Sequence, residues 1–396
     1  MKLLFLTDNF PPEFNAPATR TYEHCKEWVK EGVEVTVITC APNFPEGKLF
    51  KGYKNKLYQT EILDGIKVIR VWSYISANKG FLKRILDFLS YMLASFLVGL
   101  FIKTDLIVAT SPQFFTAISG RWLAFWKRKR WVMEVRDLWP ESVKAVGAMS
   151  NKPIFLFFEY LELKMYKSAW KIITVTDSFK TQLINDRGIK QTKIEVVKNG
   201  INAEMFSPIP KNEKLIKELN LKDKFVIGYI GTHGMAHKLD FIIESAKKIK
   251  NKEIHFIFLG TGAEKEKLMT ISKGLSNVTM LSAVEKKKVK QYISVLDVGL
   301  VNLKKCKTFE SVLPSKIFEL AGMHKPILLG VEGEAKELVE NYGIGFCFEP
   351  ENELSFFKKI ESVVTSNKID SNKYESLLKD FDRNLLARKM LRFLRN

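Results

Sequence analysis

Short aliphatic segments with the length of β-strands alternate with amphipathic helical segments along this 396-residue chain. The alternation forms two series, one in each half. The predicted strands are residues 2–7, 34–39, 67–72, 106–110, 131–135, 171–175 and 195–197 in the first series, and residues 225–230, 255–259, 278–281, 298–301, 327–329 and 345–348 in the second. Strands joined through helices pair in parallel, so each series predicts a doubly wound, mostly parallel, Rossmann-like α/β domain.

A polar segment separates the two series. Residues 202–223 contain Pro208 and Pro210 and few apolar side chains, a composition typical of a hinge. We therefore predict an N-terminal domain over residues 1–205 and a C-terminal domain over residues 206–380. Residues 381–396 have the pattern of a basic amphipathic helix.

The cysteines and histidines predict no metal site and no disulfide framework. Their spacing matches no ligand pattern, and the single Asp-x-Asp motif, at Asp380 and Asp382, falls in a region predicted to be exposed. The first apolar segment is too short for a signal peptide, so we expect a cytoplasmic protein with reduced thiols and no bound cofactor.

The net charge of +19 points to an anionic partner. No zinc-finger spacing, RNP-like motif or basic heptad supports nucleic acid. Residues 79–103 and 121–131 mix basic residues with tryptophan, phenylalanine and leucine, which favours the anionic inner face of a membrane. A buried helix beside an ordinary solvated basic patch is the alternative. We do not expect residues 85–102 to span a membrane, because Asp87 interrupts them.

The segment 308–327 has the pattern of a nucleotide-diphosphate site. Pro314 is suited to the first turn of an apolar helix, and Gly322 to a left-handed stop. Helical spacing places Ser315, Lys316 and Glu319 on one face near the helix start. The cation and the free N–H groups would hold phosphate, while Glu319 would accept hydrogen bonds from two ribose hydroxyls.

Two glycine-rich turns each follow a predicted strand. The first contains Gly231, Thr232 and Gly234 and is followed by Lys238. The second contains Gly260 and Gly262. Glycine lets a backbone approach phosphate closely, although ordinary turn chemistry explains either motif equally well, and the spacing is not the dinucleotide fingerprint.

Two further segments lie where a parallel sheet places its ligands, after the first and fifth strands. The first segment contains Asn15, Ala16 and Arg20, and Arg20 could meet an anionic acceptor. The second contains Arg136 and Asp137 beside Trp139 and Pro140. A binding cleft and simple exposed charge are both open interpretations of that second segment.

In order along the chain, these motifs resemble those of the family 4 glycosyltransferases of the GT-B fold. The motifs are a Phe-Pro-Pro loop at 10–12, an Asn-Gly-Ile signature at 199–201 with Phe206, the two glycine loops, and the segment ending at Glu319. The segments 15–20 and 314–319 look most like the bacterial branch that includes colanic-acid and N-acetyl-L-fucosamine transferases. The resemblance implies two domains facing a cleft, with the 381–396 helix returning to the N-terminal domain, and transfer with retention of configuration.

The chain departs from the family pattern at three places. The family's first glutamate of a pair falls at Ser311, one place from Glu310. Its phosphate-binding arginine and lysine fall near Thr232 and His237, so Lys316 and Lys238 become the candidate cations. Its frequent N-domain histidine falls at Arg136, beside Asp137.

The resemblance implies a metal-independent transferase that moves N-acetyl-L-fucosamine from a UDP-sugar to an undecaprenyl-diphosphate-linked saccharide at the inner membrane face. A sugar-nucleotide 2-epimerase and a non-catalytic scaffold of polysaccharide assembly are the alternatives. The predicted catalytic residues are Lys316, Glu310 and Asp137; the predicted donor-binding residues are Glu319, Ser315, Gly231, Thr232, Gly234, Lys238, Gly260 and Gly262; and the predicted acceptor-binding residues are Asn15, Ala16, Arg20 and Arg136.

Overall fold

The computed structural model describes residues 1–13, 15–44, 47–76, 81–111, 114–145, 147, 151–366 and 368–396. Residues 79 and 80, which begin the first predicted membrane-contacting segment, lie outside this set. The chain forms two compact units: unit 1 is Met1–Lys198 with Arg383–Asn396, and unit 2 is Asn199–Asp382.

Unit 1 is built on an eight-stranded sheet with the order β3-β4-β2-β1-β5-β6-β7-β8. Its elements are β1 (Lys2–Leu6), α1 (Ala16–Lys30), β2 (Glu34–Cys40), β3 (Tyr58–Leu63), β4 (Ile66–Val71), α2 (Phe81–Leu100), β5 (Leu106–Thr110), α3 (Phe114–Lys127), β6 (Arg130–Val135), α4 (Glu141–Ala145), α5 (Lys152–Ser168), β7 (Lys171–Thr174), α6 (Asp177–Asn185), β8 (Ile194–Val196) and, after unit 2, α16 (Arg383–Arg395). The seven predicted strands of the first series are all present. The core lies between the sheet and its helices, around Phe5, Trp28 and Val108.

The eighth strand, β3, was not predicted from the sequence. It pairs antiparallel with β4 at the edge of the sheet, and its residues alternate between exposed and half-buried. Asp64 and Gly65, both at positive φ, connect the two strands. An Asp-Gly pair between strands is a strong hairpin signal, and it was available in the sequence.

The C-terminal helix returns to the first unit, as the resemblance implies. Trp28 Nε1 donates a hydrogen bond to the Ala387 carbonyl oxygen at 2.8 Å. Met390, Leu391 and Leu394 are buried in the same core as Trp28. The apolar face of α16 therefore completes unit 1.

Unit 2 is built on a six-stranded parallel sheet with the order β11-β10-β9-β12-β13-β14. Its elements are α7 (Glu213–Glu218), β9 (Phe225–Ile230), α8 (Leu239–Ala246), β10 (Ile254–Leu259), α9 (Lys265–Ser272), β11 (Val278–Leu281), α10 (Lys286–Ser294), β12 (Val298–Asn302), α11 (Lys307–Glu310), α12 (Lys316–Gly322), β13 (Ile327–Gly330), α13 (Glu334–Tyr342), β14 (Gly345–Cys347), α14 (Glu353–Thr365) and α15 (Ser371–Asp380). All six predicted strands of the second series are present.

Unit 2 begins at Asn199, whereas the sequence placed the boundary at residue 206. Asn199 Nδ2 donates to the Leu313 carbonyl oxygen at 3.3 Å, and Ile201 N donates to the Phe381 carbonyl oxygen at 2.9 Å. These bonds hold Asn199 and Ile201, which precede the predicted hinge segment, within unit 2.

Among the helices that the structure describes, none is both long enough and apolar enough to cross a membrane. The twenty-residue α2 comes nearest in length, and it packs against α3 and β2.

Candidate active site

Lys316 lies against the first glycine loop of unit 2. A side chain at Gly231, whose φ is 144°, would collide with the Lys316 methylene groups and lie 2.9 Å from its Nζ. The Nζ also lies 4.8 Å from the centre of the Tyr229 ring, in a cation–π contact. Gly231 therefore leaves the space that Lys316 occupies at the carboxyl end of β9.

Burial lowers the pKa of Lys316 to about 8, while Glu319 raises it and Lys286 lowers it. The ammonium group remains charged at neutral pH, although it is poorly solvated. A half-buried, poorly solvated cation of this kind binds an anion more strongly than a hydrated surface lysine does.

The two glycine loops fit against each other. A side chain on Gly260 would overlap the Gly231 carbonyl oxygen, and one on Gly262 would lie 2.5 Å from the His233 carbonyl oxygen. Gly231 N donates to Leu259 O, and His233 N donates to Thr261 O, each at 2.9 Å. These glycines are thus required for loop–loop packing, a reason that the sequence alone did not reveal.

His233 lies buried between these loops, and both of its ring nitrogens lack a hydrogen-bond partner. Burial, with a smaller contribution from nearby Lys265 and Lys316, lowers its pKa to about 4, so its ring is neutral at pH 7. A neutral imidazole can donate from one nitrogen and accept at the other. Sequence reasoning missed His233 because an isolated histidine in a loop has no pattern.

Glu319 forms an ion pair with Lys286, the first residue of α10. Both side chains are largely buried, and Lys286 Nζ also lies 4.8 Å from the centre of the Phe206 ring. Lys286 was not predicted, because residues 286–288 are three successive lysines and such a run is usually a solvated surface. The structure adds Lys286 as a cation beside the predicted ribose-binding carboxylate.

The helix that carries Lys316 begins at Lys316, so Pro314 lies before its first turn and not within it, and its end also differs from the prediction. Ser315 precedes α12 without a side-chain cap bond, and at seven residues this helix has only a small dipole. The left-handed residue at its end is His324, not Gly322. Gly322 is instead needed for packing, because a side chain there would lie 2.7 Å from the Phe206 carbonyl oxygen.

The predicted catalytic residue Glu310 and the remaining predicted donor-binding residues make separate local contacts. Lys238 Nζ lies 3.4 Å from Asp240, which also binds Lys267 at 2.7 Å. Glu310 is exposed on α11, and its backbone packs on Gly333. Thr232 is exposed, and its carbonyl oxygen accepts from Tyr229 Oη at 2.7 Å. Gly234 makes only ordinary contacts.

In unit 1, the Arg20 side chain makes its contacts within the protein. It is buried, and its Nε donates to Glu134 Oε1 at 3.0 Å, with the exposed fractions of the two side chains at 3% and 1%. Its Nη1 and Nη2 donate to the carbonyl oxygens of Lys198 and Val197, each at 2.8 Å. The predicted contact of Arg20 with an acceptor is therefore corrected: Arg20 joins α1 to the sheet.

Arg136 is a half-buried cation with unused donors at the carboxyl end of β6. Its Nε and Nη1 are buried without hydrogen-bond partners, and its backbone N–H donates to Ser111 Oγ at 2.9 Å. Burial lowers the pKa of its guanidinium to about 10, so it is charged at neutral pH. Glu134 also acts on this charge but is already bound to Arg20, which leaves Arg136 suited to an anionic ligand.

The other predicted residues of unit 1 lie along the same edge of the sheet. Burial raises the pKa of Asp137 to about 6, although the nearby Ser142 hydroxyl opposes the rise. Asn15 caps α1, accepting a hydrogen bond from Ala18 N at 2.9 Å. Ala16 is the exposed first residue of that helix.

No three histidine, cysteine, aspartate or glutamate side chains converge into a metal site within the described ranges. The predicted metal-independent mechanism stays a prediction.

Comparison with known proteins places the two halves of the chain in glycosyltransferase families. Residues 17–205 match the model named Glycosyltransferase Family 4, and residues 224–366 match the model named Glycosyl transferases group 1. A colanic acid biosynthesis glycosyl transferase of Escherichia coli K12, WcaI, is 24% identical over 367 residues, which is 89% of each chain.

Solved structures show the same fold. HepE from Anabaena, in complex with UDP and glucose, aligns over 100% of both chains with a TM-score of 0.74 and 18% identity. WaaG, a glycosyltransferase involved in lipopolysaccharide biosynthesis, aligns over 98% of both chains with a TM-score of 0.69 and 13% identity. The two family matches together with this fold identify the chain as a glycosyltransferase of the GT-B fold, whose N-terminal half matches family 4 and whose C-terminal half matches group 1.

Proposed function

We propose that this glycosyltransferase moves a sugar from UDP to an undecaprenyl-diphosphate-linked saccharide, with retention of configuration. N-acetyl-L-fucosamine is the proposed sugar, from the resemblance of the segments 15–20 and 314–319 to that branch. The observation that carries the proposal is the charged, poorly solvated Lys316 ammonium group beside Gly231 and the Glu319–Lys286 pair.

The charge on the leaving group explains why these cations are needed. When the bond from the sugar to UDP breaks, negative charge develops on the β-phosphate. Lys316 and Lys286 would stabilise that charge, and they are already in place before the reaction, so little reorganisation is required. In our proposal His233 adds a neutral hydrogen-bonding group between the glycine loops.

The donor site is tested first by binding. UDP, UDP-N-acetyl-L-fucosamine and other UDP-sugars are titrated into the full-length protein by calorimetry, and we expect Glu319→Ala to raise the donor dissociation constant about ten- to a hundredfold. This follows if a charged carboxylate holds the ribose hydroxyls, since such bonds contribute about 1.5–3 kcal/mol.

Two variants make the result specific. Glu337→Ala removes an exposed carboxylate on α13 and should bind the donor like the unmodified protein. Lys286→Ala combined with Glu319→Ala removes both members of the ion pair, so that no cation is left unpaired. An unchanged dissociation constant in both Glu319 variants would reject the ribose-binding role.

The proposed acceptor site is the carboxyl edge of the unit 1 sheet. Arg136 offers two unused guanidinium nitrogens to an anionic group of the acceptor, and Asp137 offers a carboxylate to a sugar hydroxyl. The fields of Arg20 and Arg383 also reach Arg136 and favour an anion there.

The proposed membrane contact is a face formed by α2, α3 and α5 of unit 1. Phe96 and Trp122 pack edge to face at 5.6 Å and join α2 to α3, while Phe114 and Phe158 join α3 to α5 at 5.8 Å. The large apolar residues exposed on these helices, or directly after α2, are Leu86, Leu93, Leu97, Phe101, Trp122, Phe125, Trp126, Ile154, Leu156, Phe157 and Tyr160. Clusters of exposed apolar residues are typical of interaction sites.

Basic residues border this membrane-facing patch. Lys103, Lys127 and Lys129 line a pocket of about 610 Å³ together with Trp126. Phe101 is 86% exposed, and Phe125 and Trp126 are 78% and 69% exposed. Ammonium groups beside exposed aromatic rings suit the interface of an anionic bilayer, where rings enter the headgroup region and lysines meet lipid phosphates.

We expect the protein to bind liposomes of phosphatidylglycerol and phosphatidylcholine, and to release them as ionic strength rises from about 0.01 M to about 0.15 M. Phe125→Ala with Trp126→Ala should weaken binding about tenfold in a flotation assay, because less apolar surface enters the lipid. Leu57→Ala, which removes an exposed residue outside the patch, is the control. Equal binding by all three proteins, or none at the lower ionic strength, would contradict the membrane proposal.

Incubation with the donor alone separates this function from the two alternatives. An isomerised sugar nucleotide would identify an epimerase, and failure to bind any UDP-sugar would favour a scaffold. A transferase leaves the donor sugar unchanged until an acceptor is added, and NMR of the product then gives the linkage and its configuration.

A further inference from the structure

A groove with two exposed aromatic rings lies beyond the carboxyl end of β4. Its volume is about 470 Å³, and Lys48, Leu49, Asn55, Trp72, Ser73 and Tyr74 contribute to its walls. Trp72 and Tyr74 are 40% and 41% exposed, whereas Ser73 between them is fully buried. This alternation directs both rings to the same outer side of the segment. We call this site the Trp72 groove.

The backbone of the Trp72 groove is fixed from two sides. Asn55 Nδ2 donates to the Ser73 carbonyl oxygen at 2.8 Å, and Ser73 N donates to Asn55 Oδ1 at 3.3 Å. On the other side, Tyr74 N donates to Ser90 Oγ of α2 at 2.7 Å. The backbone that carries both rings is therefore fixed before any ligand binds, which lowers the entropic cost of binding.

The chemistry of the groove fits a sugar ring. One face of a pyranose presents C–H groups, which are apolar and weakly positive, and the face of an aromatic ring is apolar and weakly negative. Two rings on one side of an open groove can bind that face, while the sugar hydroxyls remain directed to water and to neighbouring polar groups. A deep, closed pocket would instead be expected for a small apolar ligand.

The groove opens at the same edge of the sheet as Arg136. β4, β2, β1, β5 and β6 are adjacent and parallel, so their carboxyl ends share one edge. Four steps of about 4.8 Å separate β4 from β6, which places Trp72 and Arg136 on the order of 19 Å apart along this edge. Such a separation suits an acceptor with an anionic group at one end and several sugar residues.

The edge between the two sites is lined by carboxyl groups. Asp8 follows β1, and its charge raises the pKa of Asp87 on α2, so the two carboxyl groups lie near each other. Burial raises the pKa of Asp87 to about 7, with Asp8 adding to the shift and Ser76 and Arg84 opposing it. Carboxyl groups in either protonation state bind sugar hydroxyls, so this edge can accept a saccharide along its length.

We propose that the Trp72 groove is a binding subsite for a pyranose of the acceptor saccharide, at a distance from the sugar that receives the transferred residue. The proposal rests on the proposed transferase function for the identity of the ligand as acceptor. The proposed stacking of a sugar on Trp72 and Tyr74 depends only on residues of unit 1.

The first experiment measures sugar binding directly. Saturation-transfer NMR is recorded on the full-length protein with glucose, galactose, N-acetylglucosamine and L-fucose, each as its methyl glycoside. We expect saturation of the ring C–H protons of at least one sugar, lost in Trp72→Ala and in Tyr74→Ala, and partly kept in Trp72→Phe, which retains an aromatic face. Tyr58→Ala, an exposed tyrosine on β3, should behave like the unmodified protein.

The second experiment uses transfer to acceptors of increasing length. Trp72→Ala should raise the KM for acceptors of several sugars about tenfold, as removal of a contacting aromatic anchor does, with the kcat and the donor KM unchanged. For a single-sugar acceptor, too short to reach the groove, the KM should not change.

Each result supports or overturns the sugar-binding role of the Trp72 groove independently of the transferase assignment. No sugar signal with the unmodified protein, or the same signal from Trp72→Ala, overturns the proposal. A loss of liposome binding by Trp72→Ala without loss of sugar binding also overturns it, because the ring would then belong to the membrane-facing patch. Sugar binding without UDP binding would support the sugar-binding role of the groove and reject the transferase function. UDP-dependent transfer with an unchanged acceptor KM in Trp72→Ala would support the transferase function and reject the sugar-binding role.

Discussion

Lys316→Ala should lower the kcat for sugar transfer about 10²- to 10³-fold, the usual cost of removing one group that stabilises developing negative charge. Lys316 Nζ occupies the space beside Gly231, where a water molecule would replace it in the variant without replacing its charge. The fold should persist, because loss of an incompletely solvated ammonium group removes a desolvation cost as well as a contact.

The role proposed for Lys316 also predicts the direction in which the kcat/KM for the donor changes with pH. Since the pKa of Lys316 in the free enzyme is lowered to about 8, the group is charged below that pH and loses its proton as the pH rises through it. The kcat/KM for the donor should therefore fall above about pH 8. Bound diphosphate raises the pKa of Lys316, so the fall in kcat should come at higher pH, and donor binding at pH 8 should take up protons.

Two variants identify Lys316 as the group responsible. Lys316→Arg keeps a positive charge at all accessible pH values and should remove the fall in kcat/KM above about pH 8, even if its activity is lower. Lys287→Ala removes an exposed lysine and should leave both activity and pH profile unchanged. Full turnover by Lys316→Ala, or an unaltered pH profile of kcat/KM in Lys316→Arg, would contradict the proposed role of Lys316 in stabilising the phosphate charge.

Arg20→Ala should lower the free energy of unfolding of unit 1 by about 3–5 kcal/mol, because it removes the ion-pair partner of the buried Glu134 carboxylate. The variant also loses the donors to the carbonyl oxygens of Val197 and Lys198. All seven tryptophans of the chain precede residue 198, so tryptophan fluorescence during urea denaturation reports on unit 1. Arg395→Ala, on the exposed end of α16, should change stability by less than about 0.5 kcal/mol.

The stability difference between wild type and Arg20→Ala should depend on pH. Burial acts to raise the pKa of Glu134, but Arg20, Arg136 and a hydrogen bond from Thr110 together hold it below its ordinary value of 4.5. In the wild type this contribution is complete above pH 4.5 and is lost as the pH falls through the lowered pKa. Without Arg20, burial raises the Glu134 pKa, so its protonation relieves the buried charge and the difference narrows as the pH falls from 7 toward 4.5. A small difference at pH 7 would show that Glu134 finds another partner.

The sequence was most informative where a local pattern determines structure. Every predicted strand of both sheets was found, because parallel strands buried on both faces appear as aliphatic runs separated by helical periodicity. The missed strand, β3, has an alternating, half-polar pattern, and only the Asp64-Gly65 turn marked it. The motifs shared with the family 4 enzymes, including the segment 314–319, also indicated a glycosyltransferase, which the family matches support.

The contacts among distant residues could not be read in the same way. Arg20 appeared to be a ligand-binding residue, yet its partners Glu134 and Val197 lie 114 and 177 positions away in the sequence. Lys286 appeared to belong to a solvated lysine run, yet it pairs with Glu319, 33 positions later. A single sequence without these contacts gives each of these charges the same local appearance as a surface residue.

The sequence by itself determined the two parallel α/β sheets and the position of Lys316 and Glu319 on one short helix, since these depend on periodicity and on residues three or four apart. Only the tertiary structure decided which of the charges are paired and which are available, because pairing depends on how strands and loops come together. In the tertiary structure Arg20 pairs with Glu134, whereas two nitrogens of Arg136 have no partner. Lys316 packs against Gly231, and Lys286 pairs with Glu319. A buried charge is costly unless it is paired, so these contacts separate the residues that hold the fold from those with capacity to bind a ligand.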